Sequence, residues 1–327
     1  MRTIIRSAAA CALFTVAMMG ATTAGAQIYP SKSVRLVVTF PPGGSSDTIA
    51  RLVAPKLGER LGQPVIVDNR PGGGGSIGAD MVAKSAPDGY TLVVGAAGGL
   101  ALNVVIYPKL PYDPAKDFSP ITLLVTSPFI VAVHPSNTQV TTLKELIANI
   151  KAKPGQPFAS GGTGTGMHLA GELFKLMLAA DMTHVPYKGN GPALIDLAGG
   201  QVPMAFTDLG STPPFAKSGR IRILAVASAK RSALAPEVPS AAEAGLPGWE
   251  ALGWFGVAAA AGMPQPIVQR LNSEITAILR QPDMRERILA TGNEPAPTTP
   301  EEFGTFIREE ISRWGKVVKD SGQRFDQ

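Results

Sequence analysis

The sequence is poor in the residues that build covalent or metal-centred chemistry. It contains one cysteine, Cys11, and three histidines, His134, His168 and His184. Cys11 lies in an apolar N-terminal stretch that we expect to be removed, so the remaining chain has no thiol. This excludes a disulfide, a cysteine nucleophile and a cysteine-ligated zinc ion. The histidines fall in separate segments, which argues against a histidine-built metal site. We therefore expect neither a metal nor a cofactor.

Charged and aromatic residues are also scarce, at 17% and 6% of the 327 residues, and the formal net charge is only +5. No run of lysine or arginine marks a nucleic-acid groove, so we expect no nucleic-acid partner. The hydrophobic fraction of 45% is enough for a sizeable core and excludes a disordered chain. The length suggests two domains.

Residues 1–26 have the pattern of a secretory signal peptide. Arg2 and Arg6 give a positive start, residues 7–20 are apolar or small, and Ala-Gly-Ala at positions 24–26 matches a cleavage site. The apolar run is shorter than the roughly 20 residues that cross a membrane, and no later segment qualifies. We predict cleavage after Ala26 and export of a chain that begins at Gln27.

Strand-like and helix-like runs alternate along the rest of the chain. Val34–Phe40 is a β-rich run that stops at two prolines and two glycines, and Ser45 to Asp47 then offers N-cap residues for a helix. This alternation predicts an α/β fold with ligand sites where strands end and helices begin. The other predicted strands are Pro64–Val67, Tyr90–Val94, Phe129–Val133, Pro157–Ser160, His184–Tyr187, Pro203–Thr207, Ile221–Ala227 and Trp254–Ala260.

Two glycine motifs resemble nucleotide-binding signatures but lack the residues that the chemistry requires. Gly73-x-Gly75-x-x-Gly78 has the dinucleotide spacing, yet glycines stand about 20 residues on, where an acid should contact the ribose. Gly161-x4-Gly166 has P-loop spacing, but Met-His replaces the Lys-Ser/Thr that would hold phosphate and Mg²⁺. We interpret both motifs as turns.

A third motif, Gly74-x-Ser76-x-Gly78, resembles the nucleophile elbow of α/β hydrolases. The elbow places its serine directly after a strand, whereas residues 70–75 separate Ser76 from the preceding strand. Its base would have to be His168 or His184. A secreted serine hydrolase that uses Ser76 therefore stays as the alternative function.

Two other glycine-rich loops suit anion binding. Residues 42–46 (Pro-Gly-Gly-Ser-Ser) and residues 162–165 (Gly-Thr-Gly-Thr) each precede a predicted helix, and neither contains lysine or arginine. A helix N-terminus presents unpaired N–H groups and about half a positive charge, so it binds anions without a cationic side chain. Two such loops in different halves of the chain favour a small anion held between two lobes by backbone N–H groups and hydroxyls.

Several longer motifs, in a fixed order, carry a resemblance to a known family. They are Phe40-Pro41-Pro42-Gly43-Gly44-x-x-Asp47-x-x-Ala50-Arg51, Val67–Gly72, Pro87–Leu92, Leu110–Pro114, Asp117-Phe118-x-Pro120-Ile121, Val185–Gly189 and Thr291-Gly292. Over essentially the whole chain after residue 26, the sequence resembles the Bug-type periplasmic solute receptors of tripartite tricarboxylate transporters. Asp68, where the family often has glutamate, is a conservative departure.

The resemblance implies a two-lobed α/β fold of the type II periplasmic-binding-protein kind, a Venus flytrap. Residues 27–127 and 250–327 would form lobe 1, and residues 128–249 lobe 2. It implies a monomeric periplasmic receptor without enzymatic activity. The receptor would capture an amino-acid dicarboxylate, or an aliphatic or aromatic di- or tricarboxylate, between its lobes and deliver it to the membrane permease of the transporter.

Mapped onto this sequence, the glycine loops and the family resemblance predict a set of ligand-binding residues from both lobes. Three of them have second interpretations: Asp47 as a helix cap, His168 as a packed side chain, and Asp208 as an acceptor for loop N–H groups. Lys188 is the one cation near these motifs, and it could instead point to solvent. The predicted set is Phe40, Gly43, Gly44, Ser45, Ser46, Asp47, Ala97, Gly98, Ser160, Gly162, Thr163, Gly164, Thr165, His168, Tyr187, Gly189, Asn190 and Asp208.

Overall fold

A computed structural model describes residues 29–107, 109–136 and 140–321. The predicted signal peptide and its cleavage site lie outside the described residues. The strands are β1 (Val34–Val38), β2 (Val65–Asn69), β3 (Thr91–Ala96), β4 (Phe118–Val133), β5 (Gln156–Ser160), β6 (Met182–Pro186), β7 (Met204–Asp208), β8 (Arg222–Val226), β9 (Leu252–Ala260) and β10 (Glu294–Pro295). The α-helices are α1 (Ser45–Leu61), α2 (Ser76–Ala83), α3 (Asn103–Ile106), α4 (Leu143–Ala152), α5 (Gly166–Leu178), α6 (Asn190–Ala198), α7 (Pro213–Lys217), α8 (Gln265–Leu279), α9 (Pro282–Leu289) and α10 (Pro300–Ser321).

All of these strands belong to one mixed sheet in the order β2-β1-β3-β9-β4-β7-β5-β6, with β8 and β10 also pairing with β4. On one side of β4, β1 pairs in parallel with β2 and β3, and β9 joins them antiparallel. On the other side, β5 pairs in parallel with β6 and β7. The predicted α/β alternation therefore builds two half-sheets, each around three parallel strands.

Strand β4 joins the two half-sheets because its partner changes along its length. Phe118–Pro128 pairs antiparallel with β9, whereas Phe129–Val133 pairs antiparallel with β7 and β8. We call the half that contains β1, β2, β3 and β9 lobe 1, and the half that contains β5 to β8 lobe 2. The residue numbers predicted for the boundaries between the lobes remain a prediction.

Helices packed on the sheet build the hydrophobic core, and one of its clusters extends from lobe 1 into lobe 2. In lobe 1, buried residues of α1, such as Ile49 and Leu57, share a hydrophobic cluster with buried residues of α8 and of the strands. In lobe 2, Phe174 of α5 packs against Phe206 and Trp249, with ring centroids 5.2 Å from each. Trp249 also donates from Nε1 to the carbonyl oxygen of Ala170 at 3.0 Å. These contacts fix the helices that begin at the edge of the sheet facing the other lobe. No helix in the described ranges has the length and apolar content to span a bilayer.

Candidate ligand-binding cleft

A cavity of about 530 Å³ lies between the lobes, in the range typical of small-molecule sites. It is bordered by the segments that follow β1, β3 and β7, and its floor is formed by residues of β4 and β9. The lining residues are Phe40, Pro41, Pro42, Gly43, Gly44, Ser45, Ser46, Thr48, Ala96, Ala97, Gly98, Ser127, Phe129, Gly161, Thr165, Gly166, Met167, Lys188, Gly189, Asn190, Gly191, Pro192, Leu194, Asp208, Gly210, Ser211, Pro214, Phe215, Gly253, Trp254, Phe255 and Thr291.

The lobe 1 wall is the loop before α1. Gly44 is the N-cap residue of α1 and no side chain caps this helix end, so its first-turn amides have no partner within the helix. Gly43 has a φ of +84°, a left-handed conformation that glycine adopts without strain and that turns the chain into the helix. The result is an open helix N-terminus at the edge of the cleft.

Asp47 holds this loop in place and does not line the cleft. It is only 3% exposed and accepts hydrogen bonds from the Gly43 amide at 2.9 Å, from Arg51 Nε at 2.9 Å and from Asn69 Nδ2 at 2.9 Å. Asn69 Nδ2 also donates to the carbonyl oxygen of Phe40 at 3.0 Å. Burial alone would raise the pKa of Asp47, but the hydrogen bonds from Arg51 and Gly43 help to hold that pKa below its usual range.

The lobe 2 wall is the loop before α6, whose N-cap is Gly189 and again has no side-chain cap. Asn190, the first residue of α6, is held by two side chains: it donates from Nδ2 to Asp208 at 2.8 Å and accepts from Thr207 Oγ1 at 2.6 Å. Among the described residues that line the cleft, Lys188 is the one cation, and it is exposed at the rim. A second open helix N-terminus therefore faces the first.

Asp208 lies at the end of β7 between these two walls and is 3% exposed. Besides Asn190, the Ser211 amide donates to its carboxylate at 2.7 Å. Burial raises the pKa of Asp208, although the hydrogen bonds it accepts oppose that shift. The Ser211 hydroxyl also lies 3.3 Å from the hydroxyl of Ser45 in lobe 1, which is a direct polar contact between the lobes.

The second predicted glycine loop, residues 162–165, is satisfied by its own side chains. The hydroxyl of Thr165, the N-cap of α5, accepts from the His168 amide at 3.3 Å and donates to the Gly162 carbonyl at 2.8 Å. The Gly164 amide donates to His168 Nδ1 at 3.3 Å. Unlike the starts of α1 and α6, this helix N-terminus is capped.

The predicted histidine lies in a buried cluster beneath that loop. The rings of His168 and His184 stack with centroids 3.7 Å apart, and His184 Nε2 lies 2.7 Å from the Ser160 hydroxyl. Burial lowers the pKa of His168 to about 2 and that of His184 to about 4, so both rings are neutral at physiological pH. Tyr187 points its hydroxyl to Asp196 at 2.8 Å.

The structure therefore brings together most, but not all, of the predicted ligand-binding residues. Those that line the cleft are Phe40, Gly43, Gly44, Ser45, Ser46, Ala97, Gly98, Thr165, Gly189, Asn190 and Asp208. Those outside its lining are Asp47, Ser160, Gly162, Thr163, Gly164, His168 and Tyr187.

Sequence reasoning missed the apolar floor and one side of the cleft. Phe129 of β4, Trp254 and Phe255 of β9, and Phe215 of α7 all line the cavity. In the sequence Phe129, Trp254 and Phe255 sit in apolar runs that look like ordinary core, and Phe215 follows two prolines in a polar stretch, so nothing marks them as cleft residues. Ser127 also lies in the floor, and no pattern in the sequence marks it as a cleft residue.

The hydrolase alternative finds no support in this arrangement. Ser76 begins α2 and does not line the cleft. Of the two histidines proposed as its base, His168 is buried in lobe 2, and His184 is half-buried and already paired with Ser160. The residues that the structure describes also contain no cluster of three or more potential metal ligands.

Comparison with known proteins identifies the chain. The model of the tripartite tricarboxylate transporter family receptor matches residues 49–323. Protein BugT of Bordetella pertussis is 39% identical over 301 residues, which cover 91% of this chain and 92% of BugT. A UPF0065 protein from the tcbD-tcbE intergenic region of Pseudomonas sp. (strain P51) is 40% identical over 292 residues, covering 89% and 86% of the two chains.

Two solved structures from R. palustris share the fold. Rpa4515 with adipate has a TM-score of 0.86 at 39% identity and covers 90% of this chain and 98% of its own. MatC (Rpa3494) with bound malate has a TM-score of 0.83 at 35% identity and covers 89% and 100%.

The fold and the cleft thus define a two-lobed solute-binding protein of the periplasmic type, as predicted. The chain belongs to the tripartite tricarboxylate transporter receptor family, and the resemblance seen in the sequence motifs is confirmed. This is a family of receptors and not of enzymes.

Proposed function

We propose that this protein is a periplasmic receptor that captures a small carboxylate between its lobes and delivers it to the membrane permease of a tripartite tricarboxylate transporter. The observation that carries the proposal is that the uncapped N-termini of α1 and α6 face one cleft from opposite lobes. The adipate and malate bound by the two related structures support the same ligand class.

A carboxylate fits these groups physically. Each helix N-terminus offers unpaired N–H donors and about half a positive charge, so the two together balance one carboxylate. Hydrogen bonds to a charged acceptor contribute about 1.5–3 kcal/mol each. The backbone amides of Ser45 and Ser46 and the amides around Gly189 and Asn190 are the donors we assign to it.

The predicted residues outside the lining take a supporting role in this proposal. Asp47 holds the loop before α1, and the cluster around His168 holds the loop before α5. Binding across the cleft favours a closed arrangement of the lobes because the ligand contacts both only when they approach. We further propose that the chain is exported, cleaved after Ala26, acts as a monomer, and passes between lobes near residues 127/128 and 249/250.

A thermal-shift screen over mono-, di- and tricarboxylates tests the proposal. A ligand at 100 times its Kd stabilises the folded state by about 2.7 kcal/mol, which gives a clear rise in melting temperature. We expect at least one carboxylate to produce that rise, while sugars and cationic amines do not. Stabilisation by none of the carboxylates would contradict the proposal.

A further inference from the structure

The floor of the cleft contains a hydroxyl group that has no partner. Ser127 of β4 is 1% exposed and lines the cavity. Its Oγ is buried and makes no hydrogen bond to any described residue. Buried hydroxyls are almost always paired, since leaving one unpaired costs free energy. An unpaired donor at the wall of a cavity therefore points to an acceptor supplied by the ligand.

The surface around this hydroxyl is apolar and rigid. Ser127 pairs with Gly253 of β9, and a Cβ at Gly253 would lie 2.7 Å from the Phe129 ring. A Cβ at Gly166, at the start of α5, would lie 2.8 Å from the same ring. The Phe129 ring is thus held between a strand and a helix that have no side chain at the contact points.

Trp254 borders the cavity from the other face of β9, because side chains alternate along a strand and Trp254 pairs with Thr126, not with Ser127. It lines the cavity next to Phe255, but its one polar atom, Nε1, donates to Glu310 of α10 at 3.0 Å. Glu310 accepts from Trp314 as well, at 3.2 Å, and is itself buried. The indole also packs against Phe303 and Phe306 of α10 and offers no ring face to the ligand. Phe255, two residues after Gly253, shares the Ser127 face of the sheet and supplies the second apolar surface.

Charge is confined to other parts of the cleft. Among the described lining residues, the charged or ionisable side chains are Lys188 and Asp208. Lys188 is exposed at the rim, and the carboxylate of Asp208 already accepts hydrogen bonds from Asn190 and Ser211. A hydroxyl on a ligand body that packs on Phe129 and Phe255 would meet aromatic carbon without a partner, which is unfavourable.

We propose that the ligand is a carboxylate with an apolar body, and that an oxygen acceptor at the far end of this body receives a hydrogen bond from Ser127. This inference rests on the proposed function, since it places the carboxylate at the N-termini of α1 and α6. The body packs on Phe129 and Phe255, so Ser127 is a specificity-determining residue. Hydroxy acids with polar bodies are disfavoured.

Calorimetry with two matched series of acids, one aliphatic and one aromatic, tests the inference. Adipate, monomethyl adipate and hexanoate share an apolar chain but end in a carboxylate, an ester and a methyl group, whereas glucarate has hydroxyls along the chain of adipate. Terephthalate, monomethyl terephthalate and 4-methylbenzoate form the aromatic arm. In at least one of the two series, we expect the two acids with an oxygen acceptor at the far end to bind at least about fivefold more tightly than the acid that ends in a methyl group. Glucarate should bind at least about tenfold more weakly than adipate.

The Ser127→Ala variant should abolish the preference for a far oxygen and leave the affinity for hexanoate or 4-methylbenzoate unchanged. Thr126→Val is the matched control, because Thr126 precedes Ser127 on β4 but does not line the cavity. It should keep the preference. Without ligand, Ser127→Ala should unfold at the same temperature as the native protein or higher, since it removes an unpaired buried hydroxyl.

The inference is overturned if glucarate binds as tightly as adipate, or if Ser127→Ala weakens all of the acids equally or none of them. It is also overturned if ligand-free Ser127→Ala is clearly less stable, because the hydroxyl would then have a partner in the protein. If the protein binds citrate or malate but no acid of either matched series, this inference is overturned and the proposed function stands. Binding of no carboxylate at all overturns the proposed function with it.

Discussion

Two glycine-rich loops of similar composition start helices in this molecule, yet they differ in what remains free for a ligand. The loop before α1, in lobe 1, ends in Gly44, and no side chain caps the helix. The loop before α5, in lobe 2, ends in Thr165, whose hydroxyl caps the helix by accepting from the His168 amide. A glycine-rich loop offers donors to a ligand only where the chain has not already used them.

The loop before α5 instead packs against lobe 1. A Cβ at Gly98 would overlap the carbonyl of Gly74 and lie 3.2 Å from the carbonyl of Gly164, and a Cβ at Gly74 would lie 3.1 Å from the carbonyl of Thr163. Backbone thus approaches backbone across the lobes at this point. The loop before α1 serves ligand binding in our proposal, whereas the loop before α5 serves contact between the lobes.

Gly98→Ala should show the largest effect on the contact between lobes. The added methyl group must displace backbone atoms on both sides, and such overpacking costs about 1–3 kcal/mol. Gly191→Ala is the matched control, because a Cβ there meets nothing within 4 Å. Urea unfolding should give a lower free energy of unfolding for Gly98→Ala only. Equal stability of the two variants would mean that the backbones of Gly74, Gly98 and Gly164 do not approach one another as described.

Acid should weaken the loop before α5 through His168. An unfolded histidine titrates near pH 6.5, whereas burial lowers the pKa of folded His168 to about 2. Below about pH 6.5 the unfolded chain takes up a proton that the folded chain does not. The free energy of unfolding therefore falls by about 1.4 kcal/mol per pH unit for this histidine. His184 adds to the slope, and Glu172, whose pKa burial raises, opposes it.

A difference measurement isolates His168 from these neighbours and from Lys175, which pairs with Glu172. Between about pH 6 and pH 4.5, the free energy of unfolding of His168→Gln should fall less steeply than that of the native protein, by about 1.4 kcal/mol per pH unit. Urea unfolding at several pH values measures both slopes. Identical slopes would show that His168 is not held neutral in the folded protein.

Thr165→Val should have a smaller effect, on stability more than on binding. It removes the cap of α5, and losing an N-cap hydroxyl costs about 1 kcal/mol. Thr142→Val is the control: Thr142 caps α4 by accepting from the Glu145 amide at 3.2 Å and does not line the cleft. We expect similar stability losses in both variants and carboxylate affinities within about threefold of the native value. A much larger affinity loss for Thr165→Val would make its hydroxyl a ligand contact.

Much of the fold could be predicted because strand and helix patterns are local. The start of α1 and the α/β alternation follow from β-rich runs, prolines and cap residues. The first part of β4 was missed because Pro120 and Pro128 interrupt its pattern, and proline cannot donate within a sheet. The strand accommodates the region around Pro120 through register irregularities between Pro120 and Thr122 and between Leu123 and Val125.

The candidate site was less predictable, for a physical reason. Composition shows that residues 162–165 can expose amides, but only the folded chain shows Thr165 and His168 satisfying them. Phe129 and Trp254 line the cleft because β4 and β9 form its floor, which depends on pairing between distant segments. The resemblance to a known family, not the spacing of residues, pointed to Gly189 and Asn190.

The central claim is that open helix N-termini, rather than a cationic side chain, hold the carboxylate. Calorimetry with the best ligand from the thermal-shift screen should compare Ser45→Pro, Ser45→Ala and Lys188→Ala. Proline fits the first position of a helix, so Ser45→Pro removes one amide donor while keeping α1. We predict at least about tenfold weaker binding for Ser45→Pro and less than about threefold for each of the other two variants. Normal binding by Ser45→Pro together with loss of binding by Lys188→Ala would contradict this account.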